Sequence, residues 1–168
     1  MADLLGVIGR TEFSVAVTRE PWTLPVDRLI LSASATGLGS LGAAAAEQFP
    51  EARLYEAELD VLDLKYGHSV KTSGPTLTLV NPRPAAGAGG PEPAPTAESV
   101  AAAAQRGLDA GDRPRERVAL SLLGSGAAGL PVEACAAAIV PAVRSSAEGR
   151  FDAVYFIGAD ERAAAAVR

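Results

Sequence analysis

A glycine-rich segment between two apolar runs has the residue types best suited to chemistry. Residues 118–123 are mostly apolar and predict a strand, and residues 131–143 are Ala-rich and predict a helix. Glycines at such a junction let the backbone turn sharply and approach a ligand, and the helix adds the positive end of its dipole. This arrangement suits a phosphate or pyrophosphate group, and a tight turn without a ligand is the alternative. Six small residues form the junction: Gly124, Ser125, Gly126, Ala127, Ala128 and Gly129.

A second glycine-rich turn, from Gly37 to Gly42, follows another predicted strand. Residues 27–33 have the continuous apolar centre of a buried strand, and residues 43–49 favour a helix that Pro50 ends. Ligands of open parallel sheets bind beyond the carboxyl ends of the strands. Both turns follow strands and precede helices, so we expect two phosphate-binding segments on the same edge of the sheet.

Strands alternate with helices along most of the chain, and this alternation predicts the fold class. It indicates a single α/β domain over residues 1–168, a three-layer α/β/α sandwich with a mixed, largely parallel central sheet. Residues 67–75 and 82–95 are predicted to be loops, and residues 60–64 a short strand or a turn. The remaining predicted elements are strands at 4–8, 12–18, 76–80 and 151–157 and helices that begin at Thr96 and Asp160.

The charge balance argues against nucleic acid and membranes as partners. The chain has 15 basic and 20 acidic residues, a net charge of −5, and no cluster of Lys or Arg. Nucleic-acid binding needs a basic surface, so we do not expect it. No signal peptide opens the chain, and no apolar run approaches the length of a membrane span. We therefore expect a cytoplasmic protein.

Metal and covalent chemistry have few candidates in this sequence. Cys135 is the only cysteine, so no intrachain disulfide can form, and its place in an apolar helix predicts a buried structural thiol. His68 is the only histidine, and the polar residues around it predict a solvated loop. Asp60 and Asp63 form a carboxylate pair that we place on a solvated loop. We expect no metal and no cofactor.

The order of these segments resembles the macrodomain family, whose members bind ADP-ribose. Residues 26–34, Val-Asp-Arg-Leu-Ile-Leu-Ser-Ala-Ser, look like the family's strand and loop VDAIVNAAN. Residues 118–131 are similar to the family's IAFPALGTGVGGFP, and residues 76–82 and 151–161 resemble two further family segments. The resemblance covers nearly the whole chain in topology and is sharpest over residues 123–131.

The resemblance implies a set of ligand-binding residues. In the family, two loops surround the diphosphate and the distal ribose, and an acidic residue after the second strand accepts a hydrogen bond from adenine. The matching positions here are Glu20 for the acid, Ser34 for the family's functional asparagine, Gly37, Leu38, Gly39, Ser40 and Leu41 for the first loop, and Gly124, Ser125, Gly126, Ala127, Ala128 and Gly129 for the second.

Three departures from the family pattern bear on activity. The family asparagine that orients the distal ribose is Ser34 here, the first loop lacks a run of three glycines, and the aromatic that stacks on adenine is replaced by Gly158 or Ala159. Binding by backbone amides survives such changes. The resemblance therefore implies a reader or sensor of ADP-ribose, or of a related NAD-derived nucleotide diphosphate, rather than an enzyme.

Two other functions stay open from the sequence. The chain could be a structural or regulatory domain that keeps the fold without a ligand, as the similar N-terminal domain of leucyl aminopeptidases does. It could also be an ADP-ribosyl hydrolase in which the substrate's own phosphate positions water. The sequence ends within a predicted helix, which suggests a fused effector domain beyond residue 168 as a partner.

Overall fold

The computed structural model describes residues 1–34, 37–57, 67–84, 92–126 and 129–168, and these form a mixed sheet with helices on both faces. The strands are β1 (Ala2–Ile8), β2 (Thr11–Val17), β3 (Arg28–Ser34), β4 (Gly37–Leu38), β5 (His68–Val70), β6 (Thr76–Val80), β7 (Arg117–Ser121) and β8 (Ala153–Gly158). The helices are α1 (Ser40–Gln48), α2 (Leu54–Ala57), α3 (Ala97–Asp109), α4 (Val132–Ala147) and α5 (Glu161–Val167). The predicted α/β/α fold class is confirmed.

The strand order β1-β2-β8-β7-β3-β6-β5 makes the centre of the sheet parallel. The neighbours from β2 to β6 pair in parallel, whereas β1 pairs antiparallel with β2, and β5 antiparallel with β6. The short strand β4 folds back antiparallel onto β3. The carboxyl ends of β8, β7, β3 and β6 consequently lie side by side on one edge of the sheet, which we call the carboxyl edge.

Two apolar clusters, one on each face, hold the helices to the sheet. Leu29 and Leu31 of β3 pack with Ala45 of α1 on one face. Ile30, which points the opposite way because strand side chains alternate, packs with residues of α3, α4 and α5 on the other. Burial on both faces explains why the centre of β3 is continuously apolar rather than alternating.

A buried ion pair lies at the opposite, amino edge of the sheet. Arg28, the first residue of β3, donates from Nε to Glu116 Oε2 at 2.8 Å, and both side chains are 3% exposed. The Arg28 guanidinium also donates to the carbonyls of Gly107 and Leu108 in the last turn of α3 and to Thr78 Oγ1. Arg28 thus joins the end of α3 to β3 and β6 and to Glu116, the residue before β7.

Local signals predicted several helix ends correctly. Thr96 caps α3 in a capping box with Ser99, whose backbone N–H donates to Thr96 Oγ1 at 3.1 Å. Asp160 caps α5 by accepting from the backbone N–H of Ala163 at 2.9 Å. In both cases the type of the capping residue predicts where the helix starts.

Three loop predictions need correction. Residues 37–42 were expected to form one turn, but α1 begins at Ser40, because Gly39 is extended and its carbonyl accepts from Ala43 N–H at 2.8 Å. Pro21 and Pro25 bracket a segment around Trp22 that the sequence predicts to be a loop, but this segment contains a short 3-10 helix, Pro21–Thr23. His68, expected in a loop, opens strand β5, where the hydroxyls of Ser69 and Thr78 lie 2.9 Å apart across the strands. β5 is a half-exposed edge strand, so it carries no apolar alternation.

The predicted buried thiol is confirmed, and it should be chemically silent. The side chain of Cys135 is fully buried between α4 and the sheet, and burial raises the pKa of the thiol to about 11. Since the thiolate is the reactive form, we expect no labelling by Ellman's reagent at pH 8 in native buffer and full labelling in denaturant. Rapid stoichiometric labelling of the native protein would contradict this placement.

Some sequence-based expectations fall outside the described residues. Asp60, Asp63 and the strand or turn predicted at 60–64 lie there, as do residues 85–91 of the predicted loop 82–95. Within the described ranges, no helix has the length and apolar character that crossing a membrane requires.

Candidate functional site

A cavity of about 310 Å³ lies at the carboxyl edge of the sheet. It crosses the ends of four adjacent strands, with Ile157 of β8, Ser121 of β7, Ser32 of β3 and Pro82 after β6 in its wall. Strands lie about 4.8 Å apart, so the cavity extends over about 14 Å along this edge. Its shape suits an elongated ligand rather than a spherical one.

The first loop, residues 37–41, forms one wall of the cavity. Gly39 N–H donates to Ser32 O at 3.0 Å, which folds the loop back against the end of β3. A Cβ on Gly39 would lie 2.6 Å from Ser32 Oγ and 3.3 Å from Ser32 O, so a side chain at this position would force Ser32 to shift. All five residues predicted for this loop line the cavity, together with Ser34 at the end of β3: Gly37, Leu38, Gly39, Ser40 and Leu41.

The second loop, described over residues 122–126 and 129–131, contributes the facing wall through Leu122, Gly124, Ser125 and Gly126. Gly124 has a φ of +85°, and a Cβ there would lie 2.7 Å from Val100 Cγ1 of α3, so a side chain is excluded twice. The loop then closes on itself, because Leu130 N–H donates to Gly124 O at 3.1 Å and Ser125 Oγ donates to Leu122 O at 2.7 Å. Gly126 is exposed, with open space where its Cβ would be.

The structure brings together most of the residues predicted for the site. Gly124, Ser125 and Gly126 line the cavity opposite the first loop, whereas Gly129, at a φ of +88°, turns the chain toward α4 and is not part of the lining. Ala127 and Ala128 lie outside the described residues.

Glu20 lies near the same edge but not in the cavity wall. It follows β2, and its side chain is exposed and absent from the lining. Its backbone is held locally, since Glu20 N–H donates to Thr18 Oγ1 at 3.0 Å and its carbonyl accepts from Thr23 Oγ1 at 2.7 Å. The carboxylate in the wall is that of Asp160, whose Oδ1 already caps α5.

Two arginines in the lining were missed by sequence reasoning. Arg83 follows β6 and Arg162 lies in α5, at opposite ends of the cavity. Arg162 pairs with Glu133 of α4 at 2.9 Å on the exposed rim, and this hydrogen bond lowers the pKa of the Glu133 carboxyl. The strand order decides which residues meet here, and sequence spacing does not reveal it.

Metal chemistry has no support in the described part of the chain. There, no three or more His, Cys, Asp or Glu residues lie close enough together to hold a metal ion. His68 lies in β5 and Cys135 is buried under α4, and neither belongs to the cavity lining. The lining offers backbone groups, serine hydroxyls and two guanidiniums, which together suit an anionic, hydroxyl-bearing ligand.

Solved structures resemble this chain closely in fold. It superimposes on the macrodomain of Trypanosoma brucei in complex with ADP-ribose with a TM-score of 0.72 and 13% identity, over 92% of this chain and 67% of that one. It matches an Oceanobacillus iheyensis macrodomain variant with ADPR at a TM-score of 0.74 and 11% identity, over 99% and 95% of the two chains.

The same Oceanobacillus iheyensis macrodomain with ADP gives a TM-score of 0.74 at 12% identity, over 99% of this chain and 93% of that one. No protein-family model and no curated protein sequence matches the chain. The likeness therefore lies in the three-dimensional arrangement of the chain rather than in its sequence. The chain has the macrodomain fold.

Proposed function

We propose that this domain binds ADP-ribose, or a related NAD-derived nucleotide diphosphate, and acts as a reader or sensor. The observation that carries the proposal is the meeting of both glycine-rich loops in one cavity at the carboxyl edge. Glycine loops at that edge present backbone to a diphosphate, and backbone amides bind phosphate well. Two of the solved structures that the chain resembles contain ADP-ribose or ADP, and they support the same choice of ligand.

The charges of the wall support an anionic ligand. The chain carries a net charge of −5, yet Arg83 and Arg162 both line the cavity, and Asp160 is the carboxylate of the described lining. The first turn of α4 also reaches the wall at Val132, so the positive end of that helix lies beside the second loop. A diphosphate would meet favourable potential from both sources.

We infer binding rather than turnover, and the chemistry of the described wall residues supports this choice. Asp160, its one carboxylate, is already used as a helix cap, and no histidine or cysteine joins it. Ser34 stands where the resemblance expects an asparagine, and a hydroxyl offers fewer hydrogen bonds than an amide. General acid–base catalysis needs a group within reach of the substrate proton.

Calorimetric titration with ADP-ribose, ADP and NAD tests the proposal. We expect saturable binding that is tighter for ADP-ribose than for ADP, and no release of ADP-ribose from a mono-ADP-ribosylated protein. Absence of heat and of any thermal shift with all three compounds would contradict ligand binding. Robust release from the modified protein would contradict the assignment as a reader.

A gain of affinity should follow from restoring an aromatic residue at Ala159. This alanine is exposed and lines the cavity just after β8, whereas Gly158 is buried and packs against α5, where a Cβ would lie 2.8 Å from Ala164 N. Stacking of a base on an aromatic ring contributes about 1–3 kcal/mol, so Ala159→Phe should tighten ADP-ribose binding about tenfold.

Ala137→Phe, on an exposed position of α4 outside the cavity, is the matched control for Ala159→Phe. It should leave the affinity measured by calorimetry unchanged. Equal affinity of Ala159→Phe and wild type would place the adenine elsewhere in the cavity.

A further inference from the structure

Arg83 lies at one end of the cavity, outside the proposed diphosphate site between the two glycine-rich loops. It follows β6, the strand beyond β3, whereas Arg162 lies past β8 at the other end. Three strand spacings, about 14 Å, separate β8 from β6. The two glycine-rich loops follow β3 and β7, between these ends. A ligand whose diphosphate lies between the loops therefore directs one of its ends toward Arg83.

The position of Arg83 is built by its neighbours rather than left to a flexible side chain. Its backbone N–H donates to Asn81 Oδ1 at 3.0 Å, and its Nη1 donates to the carbonyl of Pro93 at 3.2 Å. Its Nε lies 3.8 Å from Glu92 Oε2, and the Arg83 side chain is only 20% exposed. The guanidinium is thus partly removed from water and aimed by the segment that returns at residues 92–95.

That returning segment is itself anchored to the rest of the site. Asn81 Nδ2 donates to Glu92 Oε1 at 2.8 Å, and Arg106 of α3 donates to the Asn81 carbonyl at 2.7 Å. A Cβ on Gly124 would lie 3.4 Å from Pro95 Cβ, so the segment also packs against the second loop. Arg83 is therefore held by the same frame that holds the proposed diphosphate site.

Arg83 has more N–H donors than its described partners use. Ser32 and Ser40 also line the cavity, and their hydroxyls suit the hydroxyls of a neutral sugar. Among the described residues, the guanidinium makes one hydrogen bond and one ion pair at 3.8 Å, longer than a good hydrogen bond. A guanidinium has five N–H donors, and its fork matches a carboxylate or a phosphate.

Building on the proposed function, we propose that Arg83 makes the site selective for nucleoside diphosphates whose distal group carries an anion. The anion is a carboxylate or a phosphate, because both accept the paired donors of a guanidinium. Glu92 lies beside Arg83 and releases part of the guanidinium when such a ligand binds. The ligand class is then an acidic or phosphorylated sugar nucleotide rather than one that ends in a neutral sugar.

Three probes that differ at one carbon test this selectivity. They are ADP-glucose, ADP-glucuronate and ADP-glucose phosphorylated on C6, titrated beside ADP-ribose into the whole chain. We expect one or both anionic forms to bind the wild type about tenfold tighter than ADP-glucose, a difference of about 1.4 kcal/mol. The preferred form identifies whether the anion is a carboxylate or a phosphate.

Variants of Arg83 separate its charge from its structural role. Arg83→Gln should bind all three probes with equal affinity, and Arg83→Lys should keep part of the preference, since it retains the charge and loses the fork. The ratio of affinities is read for each variant, so a general loss of stability does not imitate the result. Arg53→Gln, at an exposed arginine outside the cavity, should keep the full preference.

The outcomes separate this inference from the proposed function. Equal binding of the three probes by the wild type, together with binding of ADP-ribose, overturns the selectivity and leaves the proposed function standing. An undiminished preference in Arg83→Gln overturns the role of Arg83. If the chain binds the anionic probes but does not bind ADP-ribose, the selectivity is supported and ADP-ribose is contradicted as the ligand. No binding of any nucleotide contradicts both.

Discussion

Gly126→Glu is expected to weaken ADP-ribose binding strongly while leaving the fold intact. Gly126 lines the cavity in the second loop, is exposed, and has nothing within 4 Å of the position of a Cβ. A side chain at this position therefore fits the fold and displaces no neighbouring group. It would place a carboxylate beside the diphosphate, and like charges in contact cost several kcal/mol.

We expect the affinity for ADP-ribose to fall about 100-fold, which corresponds to about 2.7 kcal/mol. The free energy of unfolding should change by no more than about 0.5 kcal/mol, as for other exposed substitutions. Calorimetry gives the first quantity and urea denaturation the second. Near-normal affinity in a folded Gly126→Glu protein would remove the second loop from the ligand site.

Two controls separate charge from size and from net charge. Gly126→Gln has the same volume without the charge, so it should lose less affinity than Gly126→Glu. Ala137→Glu adds one negative charge on α4 away from the cavity, and it should bind ADP-ribose as the wild type does. If Ala137→Glu were as weak as Gly126→Glu, long-range repulsion would explain the effect.

The parts of the fold that sequence reasoning predicted well are those determined by local signals. β7, the second loop and α4 follow one another in the sequence as an apolar run, three glycines and an Ala-rich segment, and both β7 and α4 lie where expected. Gly124 must be glycine because its φ is positive and because Val100 lies where a Cβ would be. At such positions the residue type predicts the backbone conformation.

The missed parts depend on which strands become neighbours. β5 forms because β6 offers it an edge, and nothing in residues 68–70 alone predicts that pairing. Arg83 and Arg162 are 79 positions apart in the sequence. They line the same cavity only because β8, β7, β3 and β6 lie side by side. Glu20 shows the reverse case, since its place after β2 was inferred correctly while its side chain stays outside the cavity wall.

The second large effect is expected at the buried ion pair of the amino edge. Glu116→Gln keeps the shape of the side chain and removes the charge that faces Arg28, leaving a guanidinium that is 3% exposed without its carboxylate. Breaking a buried pair on one side costs about 3–5 kcal/mol. At about 2–4 °C per kcal/mol for a chain of this size, the midpoint of thermal unfolding should fall by at least about 6 °C.

The double variant Arg28→Met with Glu116→Leu tests whether charge is the cause. It should be more stable than either single variant, because no buried charge is left alone. Recovery should stay incomplete, since the Gly107 carbonyl also loses the donor it has in Arg28. Single variants that each cost less than about 1 kcal/mol would show that water reaches the pair, contrary to its burial.

The same substitution also tests how the two edges of the sheet are connected. Arg28 holds the last turn of α3, and the first turn of that helix holds Pro82 through Ser99 Oγ, which donates to its carbonyl at 2.6 Å. Hydrogen exchange in Glu116→Gln should therefore be faster in α3, relative to wild type, and change less in α1, which lies on the other face of the sheet.

The affinity of the folded Glu116→Gln variant for ADP-ribose should stay within about twofold of wild type, since α3 remains capped at Thr96. A large loss of affinity would mean that α3 transmits strain from the amino edge to the site.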